Sequence, residues 1–141
     1  MNKSLLIILT LFFSVVTFAQ QEKPKFDAAK FERELAQFIK TEACLTSSES
    51  QKFFPLYCEM RKKQKTLFEQ MRRYRHADLS NEKACEEAIR EQDRMDVELK
   101  ELQQTYHVKF MKIMSASKVL KVIKAEEKFH RQAFKWAAKH K

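Results

Sequence analysis

Beyond about residue 25, apolar side chains recur at steps of three and four, the spacing of one face of an α-helix. Phe26, Ala29, Phe31, Leu35, Phe38 and Ile39 carry this period and predict a first helix over about residues 25–43. Leu45-Thr46-Ser47-Ser48-Glu49 reads as the next helix start. The Thr46 hydroxyl can accept from the Glu49 backbone N–H while the Glu49 carboxylate reaches back, a capping box. The second helix then runs to about His76. Pro55 lies well inside it, removes one backbone hydrogen bond and crowds the carbonyl four residues earlier, so a kink is expected there. Asp78-Leu79-Ser80-Asn81 is the next break, with Ser80 as the expected cap of a third helix over about residues 82–113. Ser115 caps a fourth, over about residues 116–139.

The second and third helices carry matching seams. Phe53, Tyr57, Met60, Gln64, Leu67, Met71 and Tyr74 alternate steps of four and three, and so do Cys85, Ala88, Gln92, Met95, Leu99, Leu102 and Tyr106. This is a coiled-coil-like pattern. Each helix spans roughly 45 Å at 1.5 Å per residue. The pair should form a long antiparallel hairpin that the shorter first and fourth helices cover only in part. A turn centred near Asp78 sets Tyr57 level with Leu99, and Met71 with Cys85. It also sets Gln64 opposite Gln92, the one polar residue in each seam. The two amides are then expected to bond each other and fix the register.

Composition narrows the function classes. The chain has 141 residues, enough for one domain, with no glycine and two prolines. Nucleotide-binding glycine loops are therefore excluded. The formal net charge is +9, a balance that suits nucleic acid, a membrane surface or acidic polypeptides.

The N-terminus decides among these. Lys3 precedes an apolar run over residues 5–16, and Thr17-Phe18-Ala19 places small residues before a cut after Ala19. This is the three-part pattern of a secretory signal peptide on residues 1–19. A retained anchor is the alternative, but the run is short of the ~20 residues that span a bilayer. Residues 20–141 then form a single exported helical domain starting at Gln20 or Gln21. Export to the periplasm argues against nucleic acid as a partner. Stable membrane insertion is not expected once the signal is removed.

Charge also supports the hairpin. Residues 61–75 hold seven bases and one acid, and residues 82–101 hold eight acids and four bases. Folded at the turn, opposite signs lie side by side. The uncompensated charge is then the last helix, including Lys121, Lys124, Lys128, Arg131 and Lys135.

Candidate chemistry is sparse. Cys44, Cys58 and Cys85 are an odd set in an exported chain. The register pairs none of them, leaving buried free thiols, an intermolecular disulfide or a bridge from Cys44. Glu127-x-x-His130 has the spacing of a di-iron helix but occurs once. No catalytic set can be assembled, and neither a metal nor another cofactor is implied. The Phe and Met stripes read first as core and second as a surface for clients, with Phe53, Tyr57 and Met60 as the candidates.

Two stretches resemble the repeated LTxxQ motif of the Spy/CpxP family of exported chaperone-like and stress-sensing helical proteins. The first is Leu45, Thr46 and Glu49, followed by Phe-x-Pro-x-Tyr over residues 53–57, which is similar to a branch in Bacteroidetes-type bacteria. The second is Met114, Ser115 and Lys118. Glu49 and Lys118 replace the family's glutamine, and Met-Ser replaces the second Leu-Thr. The resemblance implies an elongated, curved, all-α fold of four helices that dimerises into a cradle. It implies an ATP-independent chaperone or envelope-stress sensor, with unfolded or partner proteins as ligands and a homodimer as the assembly. The residues themselves carry the same reading: incompletely covered apolar area rimmed by cations binds polypeptides without catalysis. The alternative is a periplasmic regulatory partner of a membrane anti-sigma factor or sensor kinase, with a metal link as one variant.

Overall fold

The structure, a computed structural model, describes residues 26–139. The expected signal peptide lies outside these residues. Among them are four α-helices and no strand: α1 (Ala28–Glu42), α2 (Ser47–Arg72), α3 (Glu82–Met111) and α4 (Ala116–Lys139). A 3₁₀ turn, Arg73–His76, extends α2. The all-α class with a long antiparallel α2–α3 hairpin is as the periodicity predicts.

Helix ends follow local chemistry. Asp27 accepts from the Lys30 N–H and starts α1. At α2 the Thr46 hydroxyl accepts from Glu49 N–H, and the Glu49 carboxylate accepts from Thr46 N–H at 2.8 Å. Such a cap contributes about 1 kcal/mol. The cap of α3 is Asn81, which accepts from Ala84 N–H, and not Ser80. The Ser80 hydroxyl and N–H are both turned to Asp78, so the amide side chain one residue on takes the role. Ser115 accepts from Lys118 N–H at α4, as expected.

Between α1 and α2 the chain turns without glycine. Cys44 takes φ 52°, Cys44 N–H donates to Thr41 C=O, and Leu45 N–H donates to Lys40 C=O. This is a Schellman motif, which usually places glycine at that position. Leu45 and Ile39, beside it, are both buried in the core. Pro55 does not interrupt α2, which runs through it as one helix of 26 residues.

The main core sits at the base of the hairpin. It joins Leu35 and Ile39 of α1, Phe53, Tyr57 and Met60 of α2, Tyr106 and Phe110 of α3, and Val119, Val122 and Ala125 of α4. Beyond it, toward the tip, only Gln64, Leu67, Ala88 and Met95 of the seams are buried. The short helices therefore cover the base and leave the outer arm thin. Leu79 at the tip is 89% exposed, and Ile89, Val97 and Phe68 are also exposed.

The register differs from the expected one by one heptad. Phe53 packs on Phe110, ring centroids 4.7 Å apart, where a turn centred at Asp78 would put Gln103. Tyr74 shares a hollow at the tip with Ala88, Ile89 and Gln92. Part of the offset comes from the connector. Residues in 3₁₀ and extended backbone rise about 2 and 3 Å each, against 1.5 Å in the α-helix. The 3₁₀ turn and the extended Ala77 thus lengthen the first arm. Carried along the seam, the offset sets Gln64 opposite Leu99 and Gln92 opposite Met71. No Gln64–Gln92 hydrogen bond forms. The ion pairs on the hairpin run within each helix, as Glu59–Lys63, Glu69–Lys65 and Glu98–Arg94 do, and none among the described residues joins its two arms. Exposed cations and acids reach i+4 neighbours more readily than the far helix.

The Gln64→Leu and Gln92→Leu changes should therefore act independently. A double-mutant cycle read by urea unfolding should give coupling within about 0.5 kcal/mol; coupling well above that would restore the facing-glutamine layer.

Candidate functional site

Three features of the base stand out: a half-buried ionic hub, an aromatic groove and a cationic helix face. The hub is Arg61 of α2. Its guanidinium donates to Glu32 of α1 at 2.6 Å and to Glu126 of α4 at 3.4 Å. His130, one turn along α4, stands 3.7 Å from the same Glu126 carboxylate. Tyr57 lies beside Glu126, its buried hydroxyl short of hydrogen-bond geometry. The sequence offers a signal for this hub. Arg61 follows Tyr57 by four residues and Glu126 follows Val122 by four, so each is a charge at the edge of an apolar stripe.

Burial alone would raise the Glu126 pKa. His130, Arg61 and Tyr57 outweigh it and hold the carboxyl below the ordinary range. Burial, and then the Glu126 charge, push the Tyr57 phenol far above its usual value. The Arg61 guanidinium loses some favour by burial, and Glu32, with further help from Glu126, holds it more firmly charged than usual. Burial also pulls the His107 imidazole below its ordinary 6.5.

The two motif-like stretches meet in space. Leu45 and Met114 are both buried in the main core. Between the starts of α2 and α4, the Lys118 ammonium donates to the Glu49 carboxylate at 2.6 Å. The two residues that stand where the motif has glutamine are thus a charge pair. The Lys118 bond, with the Thr46 backbone N–H, lowers the Glu49 pKa.

The aromatic groove lies between the start of α1 and the end of α4. Phe26, Phe31, Phe129 and Trp136 line it with Ala133 and Ala137, and Asp27, Lys30, Glu34 and Gln132 form its rim. It encloses about 670 Å³. Phe31 packs edge-on against Phe129 at 5.2 Å. Helical periodicity marks Phe26 and Phe31 only as stripe residues; the crossing of α1 with α4 makes them walls.

Of the expected client-contact residues, Phe53, Tyr57 and Met60 are core, each almost fully buried. They face α3 and α4, so their assignment to a client surface is corrected. Lys121, Lys124, Lys128, Arg131 and Lys135 are all exposed. Lys128 reaches across to Glu42 of α1 at 2.9 Å. The other four make no ion pair among the described residues.

Cys44, Cys58 and Cys85 are free. Cys44 and Cys58 are exposed, contrary to the buried-thiol reading, because neither falls on the seam. Among the described residues no group of three His, Cys, Asp or Glu side chains could hold a metal ion, and His130 of the di-iron-like spacing turns to Glu126. Among them, too, no helix is long and apolar enough to cross a membrane. Against family models, curated proteins and solved structures, the chain has no match.

Removing Arg61 leaves Glu126 half-buried and opposed only by His130. Arg61→Gln should cost about 3 kcal/mol, near the lower end for a broken buried pair, measured by denaturant unfolding at neutral pH. The fold should also be acid-labile in two stages. His107 has a lowered folded pKa, so the unfolded chain takes up the proton first and stability falls below about pH 6.5. Glu126 and Glu49 are also lowered; their stabilisation is complete above the ordinary 4.5 and is lost as pH falls below it. Glu126→Gln should weaken the second stage, leaving the Glu49 part, and steepen the first, because the Glu126 charge favours the protonated His107 imidazole.

Proposed function

We propose that this protein is an exported, ATP-independent chaperone-like or stress-sensing protein that binds unfolded or partner polypeptides without catalysis. The observation that carries the reading is the open groove walled by Phe26, Phe31, Phe129 and Trp136, beside the unpaired cations of α4. An apolar trough with a charged rim holds an extended segment by burial of its aromatic and aliphatic side chains. The cations raise the encounter rate with acidic chains at low salt.

The meeting of the two motif-like stretches at Glu49 and Lys118 supports the resemblance to the Spy/CpxP family. The Glu–Lys pair joins the two helix starts at the positions where the motif has glutamine. Placement in the periplasm rests on the signal-peptide pattern in the sequence. The apolar side chains left open on the outer arm, Val97 and Ile89 of α3 and Phe68 of α2, support a homodimer that covers them.

The protein should suppress aggregation of a denatured client without ATP, and added salt should weaken capture. Ala137→Arg, which fills the groove from its exposed edge, should reduce capture several-fold while the melting temperature stays within a few degrees. Capture unaffected by groove filling would remove the groove from the reading. In sedimentation at micromolar concentration the protein should run at twice the chain mass, and Val97→Glu with Ile89→Glu should return it to a monomer.

A further inference from the structure

The outward side of α4 has a composition that the groove does not explain. At 100° per residue, Leu120, Lys124, Glu127, Arg131, Phe134, Lys135 and Ala138 share one side of the helix, opposite buried Val119, Val122 and Ala125. Lys121, Lys128 and Lys139 flank it. All of these are exposed, and Phe134 is 76% exposed. Glu127 is the one acid on that side. Lys121, Lys124, Arg131, Lys135 and Lys139 form no ion pair among the described residues.

The helix that packs beside α4 does not neutralise this face. Each acid of α1 and its cap is already engaged: Asp27 with the Lys30 N–H, Glu32 with Arg61, Glu34 with Lys30 and Glu42 with Lys128. Cationic charge therefore runs opposed only by Glu127 along about 27 Å of helix, from Lys121 to Lys139. Neither the aromatic groove nor the hollow at the hairpin tip is lined by these side chains. Two isolated apolar knobs, Leu120 and Phe134, stand among the cations about four turns apart.

From this we propose that α4 docks its outward face on an anionic phospholipid bilayer, lying flat on it without crossing. A row of exposed, unpaired cations along one side of a helix can meet an extended planar anionic surface along its whole length, whereas a folded acidic protein would need acids spaced to match it. Cations within a Debye length of such a surface are drawn to it, and single aromatic or aliphatic side chains enter the headgroup region. The apolar stripe of α4 stays in the core, so contact is by charge with Phe134 as an anchor and is reversible. The groove is lined by Phe129, Ala133 and Trp136 on the opposite side of α4, so the same molecule can hold a client while it lies on the bilayer.

The test is co-sedimentation of the purified protein with phospholipid vesicles. Vesicles with about a third phosphatidylglycerol should bind it at low salt, and pure phosphatidylcholine vesicles should not. Binding should fall about tenfold or more at 0.5 M salt. The triple change Lys121→Gln, Lys124→Gln and Lys135→Gln should cause a similar loss with the helical circular dichroism unchanged, and Phe134→Ser a smaller one. Ala137→Arg, which blocks the groove, should leave vesicle binding intact, so a failure of the client reading and a failure of this one are separate results. Equal binding to neutral vesicles, or full binding by the triple variant, overturns the proposal. So does tighter binding of polyglutamate than of the vesicles at equal negative charge, which would assign the face to acidic polypeptides.

Discussion

The base of this molecule depends on the satisfaction of one guanidinium. Arg61 leaves its seam beside Met60 and Gln64, where solvent can reach little of it, and a charge so placed is costly unless carboxylates surround it. Glu32 and Glu126 come from α1 and α4, the two helices that pack against the base of the hairpin. Apolar contact holds α1 and α4 to the hairpin with less dependence on direction than a charge-assisted hydrogen bond has. The two carboxylates on Arg61 select one position for them. His130 and Tyr57 then crowd the same carboxylate, so α4 is set in rotation as well as in height.

That hub was open to inspection in the sequence only as charges out of place. The seams were legible because burial on one side of a helix imposes its period directly on residue type, and Phe53, Tyr57, Met60, Leu67 and Met95 are buried as that period demands. The capping box was legible because its partners lie three residues apart. The pairing of the arms was not. It depends on how far the connector rises, and neither the 3₁₀ turn at Arg73–His76 nor the extended Ala77 has a strong residue signature. The bonds from Arg61 to Glu32 and Glu126, and from Lys118 to Glu49, depend on where helices cross, which no local pattern encodes.

The division of labour between the two ends follows from the same packing. The four-helix base gathers the aromatic side chains into a core and, at its margin, the groove of Phe26, Phe31, Phe129 and Trp136. The outer arm has one thin seam and open apolar side chains on both helices. A second molecule can cover those without disturbing the groove. On the reading proposed above, assembly and client contact use different faces.

The turn at Cys44 has a further consequence, in conformational entropy. Glycine is the residue that loses most freedom on folding, and this chain has none. Its unfolded ensemble is accordingly narrower, and less disorder has to be overcome when the four helices form. The saving has one local cost, since holding a side-chain-bearing residue at φ 52° is unfavourable by about 1–2 kcal/mol. A thiol-bearing residue at that corner, rather than a glycine, thus shifts the strain from the many states of the unfolded chain to a single point in the folded one.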